Sequence, residues 1–296
     1  SKLLPNSFPF NCEYISPPVN SPVTVTTYIG EGLEKDKISL YYDKEDGFKE
    51  EITSFEYNET TGILSFTTSH FSRYYILIAN DYLAVGKSGK YYTELSTKID
   101  EEITFLPQNR EIDLKSASYT INGIVFPESD NEYTVTIKNG NIEGAEYNAF
   151  TQYSNSRLIL DHVNIDWTSK GVNALCFLYQ GSNPVWLEVK DSILKNNVYG
   201  IGTNASEETD YVYVTVDNSS VTTTSSDEDN TAVLFNVPGE LKISNSTISG
   251  ERQGVIVRGG NATISNSTIE ARGTKSTYSD WLGKSDYNNN NWGAGN

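Results

Sequence analysis

From residue 137 onward, one six-residue arrangement of apolar and polar positions recurs. It runs apolar, polar, usually Asn or Asp, small, variable, apolar, and its copies begin at Ile137, Leu160, Val189, Val216, Ile243 and Ile264. The copies start 23, 29, 27, 27 and 21 residues apart, and an earlier candidate, Leu114 to Ile121, lies 23 residues before Ile137. A fixed turn with variable spacing between copies is what loops of unequal length produce. The period is too short for two-helix repeats, and the segments are β-branched without helical periodicity, so each repeat is expected to form one coil of a strand solenoid.

In that register the first and last positions of each copy point inward, and Ile137, Leu160, Val189, Val216, Ile243 and Ile264 form one apolar stack. Beside it, Asn139, His162, Asp191, Asn218, Asn245 and Asn266 form a polar stack at a tight bend, where Asn tolerates left-handed dihedrals and its amide reaches the next coil. Asn218 and Asn245 are expected to be largely buried there. A second strand in each coil is visible in Ala149-Phe150-Thr151, Ala174 to Leu178, Ala232 to Phe235 and Gly254 to Val257, and it places Cys176 in a core row.

Spacing and motif together resemble the right-handed parallel β-helix of the pectate-lyase-like superfamily, over residues 81 to 296. The stretch Val85 to Leu95 resembles the start of such a helix in bacterial surface proteins, where a strand pair leads into a short amphipathic helix. Tyr92, Leu95 and Ile99 would share one face of that helix and cap the open end of the solenoid. Residues 1 to 80 read instead as a small β-sandwich module. Alternating strands occur at Pro22 to Thr27 and Lys37 to Tyr42, a hairpin turn lies near Asp46-Gly47, and Gly62 to Tyr75 resembles the closing strands of modules in Gram-positive surface proteins. His70, inside that motif, is read as a packing residue. The expected fold class is therefore all-β.

Charge narrows the function classes. The chain carries 39 Asp and Glu against 22 Lys and Arg, a formal net charge of −17, which repels nucleic acid and anionic lipid. No apolar run is long enough to span a bilayer. Two cysteines, Cys12 and Cys176, and two histidines, His70 and His162, provide neither a clustered zinc set nor a disulfide framework. The chain has no methionine and no signal-like leader, so it reads as a piece of an exported bacterial protein whose signal and anchor lie elsewhere. Six Asn-x-Ser/Thr sequons begin at Asn58, Asn204, Asn218, Asn245, Asn261 and Asn266; most are read as structural.

The resemblance implies catalysis that can be tested residue by residue. Leu158 to His162 is similar to the family's apolar-Ile-Asp-His segment, without the tryptophan often found there. Lyase chemistry needs a calcium-binding carboxylate cluster and a base, usually Arg. Arg157, Arg252, Arg258 and Arg272 share no pattern position with the acids. Asp161 falls instead in an alternating charge stack, Lys138, Asp161, Lys190 and Asp217, expected to form an exposed ladder. One further column is suggestive: Glu143, Asp166 and Lys195 follow the apolar end of three consecutive copies, beside Trp167. Two carboxylates one strand apart suit a shared proton, calcium or a retaining-glycosidase pair, and an adjacent Trp suits a sugar ring. Trp186, Tyr199, Tyr211 and Tyr213 add aromatic surface.

These residues point to an extracellular or cell-surface, adhesin-like, glycan-contacting scaffold without catalysis. The alternative is a polysaccharide lyase or glycoside hydrolase working in a lateral groove. Glu143, Asp166, Trp167 and Lys195 are the expected ligand contacts, with calcium at Glu143 and Asp166 the one candidate ion. The expected partner is a polysaccharide or cell-surface glycan, met by a monomer.

Overall fold

The computed structural model describes residues 7–11, 22–43, 49–69, 73–78, 82–167, 174–179, 183–204, 211–225 and 230–272. His70, Cys12 and the Asp46-Gly47 turn lie outside these residues. The chain divides into two compact units, Ser1–Leu95 and Ser96–Asn296.

In the first unit, two antiparallel sheets face each other. One has the strand order Ser7–Asn11, Arg73–Ile78, Ile38–Asp43, Lys49–Ile52; the other runs Val23–Tyr28, Ile63–Thr68, Phe55–Asn58. Alternation buries Leu64 and Phe66 from one sheet and Leu40, Tyr74 and Ile76 from the other, and Tyr75 between the last two is buried as well. The Phe66 and Tyr74 rings meet at 4.8 Å, and the Tyr74 hydroxyl donates to Thr68 Oγ1 at 3.0 Å, so the buried phenol is satisfied. A small hairpin, Ala84–Gly86 with Tyr91–Tyr92, is tied to this unit by the Tyr91 N–H, which donates to the Glu31 carbonyl at 2.9 Å. Gly30, at φ 111°, lets the hairpin approach: a Cβ there would sit 2.5 Å from the Gly89 carbonyl oxygen.

The short capping helix does not form. Residues 87–99 run as a turn, the strand Tyr91–Tyr92, a bend and the strand Lys98–Ile99; among the described residues the one helical element is a 3-10 turn, Lys35–Lys37. The segment is rich in Tyr, Thr, Ser and Gly, and too short for an amphipathic helix to repay its nucleation. Tyr91 and Ile99 are its buried members, while Tyr92 is partly exposed beneath Lys90 Nζ, 5.0 Å from its ring.

The second unit is a parallel β-solenoid of about six turns. Its longer sheet is bent: the twelve-residue strands Tyr133–Gly144 and Ser156–Trp167 run through the bend, and in later coils each becomes two strands, as in Val185–Lys190 with Ile193–Asn196. A second sheet stacks Ile103–Phe105, Ile124–Phe126, Phe150–Gln152, Ala174–Tyr179, Tyr199–Asn204, Thr231–Phe235 and Gln253–Val257. The sequence register holds throughout. Ile137 pairs with Leu160, then Val189, Val216, Ile243 and Ile264, and Ile142 with Ile165, Leu194, Val221, Ile248 and Ile269. All but the last members are buried; Ile264, on the last described coil, is 43% exposed. Each buried aliphatic contributes roughly 1.5–3 kcal/mol. Facing them, Phe105, Phe126 and Phe150 stack coil on coil at 5.3 and 6.3 Å, and Cys176 is fully enclosed, with burial holding its thiol far above the usual range.

At the bend, Asn139, His162, Asp191, Asn218, Asn245 and Asn266 all adopt positive φ, between 45° and 58°. The left-handed turn is as the pattern requires, but its burial is the reverse of the expectation. Asn218 and Asn245 are exposed, and the buried residue is the one that follows each. Ser192, Ser219, Ser246 and Ser267 form a ladder in which each backbone N–H donates to the next hydroxyl, at 3.0, 3.1 and 3.1 Å. Each hydroxyl donates to the carbonyl two residues earlier, Ser219 to Asp217 at 2.7 Å for example. A left-handed residue turns its side chain outward as the chain corners; the next residue re-enters the wall and must carry its own hydrogen bond.

Candidate functional site

Three surfaces of the solenoid bear on function. The first is the column read from the sequence. Glu143 pairs in register with Asp166, and Asp166 with Lys195, and all three side chains are exposed on the outer face. Lys195 Nζ lies 3.0 Å from Asp166 Oδ2, and Thr120 Oγ1 donates to Glu143 Oε1 at 3.1 Å. Trp167 does not join them. It is 1% exposed, because alternation along the strand turns residue 167 opposite to residue 166. Its ring fills the space left by Gly144 on the neighbouring coil, where a Cβ would stand 2.4 Å from the indole, and its Nε1 donates to the Tyr147 carbonyl at 2.8 Å. Trp167 is a core residue, and the outer column is an ion pair beside a hydrogen-bonded glutamate.

The second surface follows the bend. A groove of about 610 Å³ is lined by Asp113, Lys115, Asn139, Asn164, His162 and Asp191 among others. His162 Nδ1 lies 2.6 Å from Asp161 Oδ1, and Nε2 lies 4.0 Å from Asp191 Oδ2. Donor atoms of Asp161, His162 and Asp191 fall within 4.8 Å of one another, which makes them, rather than Glu143 and Asp166, the set of three ligating side chains drawn together among the described residues. One imidazole nitrogen and two carboxylates suit a divalent ion, but each already has a partner within the chain: Asn218 Nδ2 donates to Asp191 Oδ1 at 2.5 Å, and Asp161 holds the imidazole. Among the described residues, the groove lining carries Lys115 and no arginine.

The alternating charge column beside the groove keeps the expected register, extended by one residue: Asp113, Lys138, Asp161, Lys190, Asp217. Its hydrogen-bonded ion pairs go elsewhere. Lys138 Nζ meets Glu111 Oε1 at 2.7 Å and Lys190 Nζ meets Glu188 Oε2 at 3.2 Å, because these acids lie on the same outward face within reach of a long side chain. The Lys115 backbone N–H, with help from the Asn139 amide, holds the Asp113 carboxyl below its ordinary range. The Ser244 hydroxyl and the Asn245 amide do the same for Asp217, and Glu111 raises Lys138.

The third surface is a row on the outer face of the first arm of the bent sheet. Arg157, Trp186 and Tyr213 occupy register-matched positions on three successive coils. The Arg157 guanidinium lies 4.7 Å from the Trp186 ring centroid. Trp186 and Tyr213 are nearly parallel, at 12°, with centroids 6.0 Å apart, and Tyr211, on the same coil as Tyr213, flanks the end of the row at 6.4 Å and 28°. Tyr211 is 50% exposed. Arg157 is also gripped by Glu132 at 3.2 Å and Glu188 at 3.1 Å. Trp186, Tyr211 and Tyr213 belong to the aromatic surface read from the sequence, and alternation in Val185–Lys190 and Val212–Asp217 turns Trp186 and Tyr213 outward. Arg157 was missed because its partner Glu132 comes from a connecting loop whose path no repeat specifies. No family model, curated protein or solved structure matches the chain. Among the described residues, no helix is long and apolar enough to cross a membrane.

Proposed function

We propose that this chain acts outside the cell or at its surface as an adhesin-like, non-catalytic scaffold that contacts glycans. The observation carrying this reading is the row Arg157, Trp186, Tyr213 and Tyr211. It is a continuous aromatic surface built on a rigid sheet, and aromatic rings pack against the C–H faces of sugar rings. Parallel coils hold such a row at a fixed strand spacing. The test is a panel of immobilised polysaccharides on which binding and product release are followed together. Retention without new chain ends, lost in the Trp186→Ala/Tyr213→Ala variant, supports the scaffold; a row variant that binds normally overturns it.

A second reading, polysaccharide cleavage in the bend groove, is favoured by the juxtaposition of His162 with Asp161 and Asp191. A carboxylate that orients an imidazole toward a second acid is an arrangement able to move a proton. It predicts product release that disappears in His162→Ala and persists in the row variant.

A further inference from the structure

We infer that the aromatic row takes an uncharged polysaccharide, with the sugar chain running along the solenoid axis, and discriminates against polyuronates. The inference rests on the glycan-contacting reading above and adds the ligand's charge class and direction. Charge around the row is not cationic. Among the described residues, the cations of this face are each engaged by carboxylates: Arg157 by Glu132 and Glu188, Lys138 by Glu111, Lys190 by Glu188, and Lys242 by Glu240, with Asp161 and Asp217 on the same face besides. Arg157 is the group that a uronate would seek, and it is committed twice over, to two acids and to the face of Trp186. A uronate carboxylate would have to displace one of these acids and leave it unpaired beside the newcomer, against the field of a chain of net charge −17. A neutral sugar meets no such cost.

Direction follows from register. Three members of the row, Arg157, Trp186 and Tyr213, come from equivalent positions on successive coils, so it advances by one strand spacing, roughly 4.8 Å per coil, perpendicular to the strands, and Tyr211 lies beside its end on the coil of Tyr213. A ligand lying along the axis touches Arg157, Trp186 and Tyr213, with Tyr211 flanking its end, whereas one lying along the strand of Tyr213 would touch Tyr211 and Tyr213 and leave out Arg157 and Trp186. Contact through C–H faces rather than charges also makes binding indifferent to salt.

The experiment is affinity electrophoresis in gels containing either neutral polymers (a soluble β-glucan, a xylan and a galactomannan) or polygalacturonate and alginate, at low and high sodium chloride. The wild-type chain is compared with Tyr213→Ala, Tyr211→Ala and Arg157→Gln. Tyr211 precedes its strand and is half exposed, so its variant keeps the test usable if Tyr213→Ala misfolds. The expected result is retardation by at least one neutral polymer, unchanged by salt and about tenfold weaker in each tyrosine variant. Salt-sensitive retardation by the uronates, lost in the row variants, would overturn the charge class and leave the glycan reading standing. Retardation untouched by the row variants, or absent on every polymer, would overturn both.

Discussion

The outside and the inside of the solenoid wall put neighbouring residues to opposite uses. Asp166 lies in an exposed ion pair while Trp167, one position on, fills the interior; Asn218 shapes the corner in solvent while Ser219 closes a buried hydrogen bond. Outside, side chains choose among several partners, as Lys138 and Lys190 do, and each choice is worth little. Inside, the packing fixes the partners, as it does for the Ser219 hydroxyl between the Ser192 N–H and the Asp217 carbonyl. The difference shows that the recurring polar residue of the pattern specifies the backbone turn, while the modest residue beside it bears the energetic cost of being changed.

Measurements of denaturation midpoint can break this contrast or sharpen it. The largest effect belongs to Trp167→Ala, expected to cost about 3–5 kcal/mol through the cavity left against Gly144. A loss comparable with that of Asp166→Ala would return Trp167 to the surface. Ser219→Ala comes next: it strips the acceptor from the buried Ser192 N–H, at about 1–3 kcal/mol. Asn218→Val should cost about 1–2 kcal/mol, because a β-branched residue resists φ 45°, while Asn218→Gly should change stability by a few tenths. If valine and glycine behave alike, the left-handed corner is not what Asn218 provides. Asp166→Ala should cost at most about 1 kcal/mol, since its bond to Lys195 is exposed.

The smallest effect concerns pH. Asp113 and Asp217 have carboxyls lowered in the folded chain, so their contribution to stability is complete above the ordinary carboxylate range and lost as pH falls through the lowered folded values. Asp217→Asn should flatten part of the acid limb of a stability profile; an unchanged limb would show that the hydroxyl of Ser244 and the amide of Asn245 do not favour the charged form.

Much of the solenoid was legible in the sequence because coil register is a one-dimensional property: equal offsets from each bend become neighbours in space. That is why the columns through Ile137, Ile142, Glu143 and Lys138 could be written down in advance. Parity at the end of an arm was harder to read. Trp167 seemed to flank Asp166, and the informative residue was Gly144 on the preceding coil, which empties room for an indole only if the indole turns in. The serine ladder was visible as recurrence at 192, 219, 246 and 267, yet Asn, with more hydrogen-bonding capacity, drew the burial assignment. The grip on Arg157 and the gathering of His162 between two aspartates depend on loop paths and side-chain conformations that periodicity does not encode. The helix expected near Tyr92 followed from the resemblance of Val85 to Leu95, with propensity against it.

Cys176 turns the closed interior into a clock. Its sulfur is shut between Phe150 and Ile201 of the adjoining coils, and burial keeps it protonated, so a thiol reagent can reach it only after those coils part. With Cys12 replaced by serine to silence the other thiol, the labelling rate in native buffer becomes a direct count of how often the middle of the wall breathes open. A rate that rises with mild denaturant along the global unfolding slope would mean the coils part together; a shallow slope would mean that one seam can open while the rest of the array stays wound.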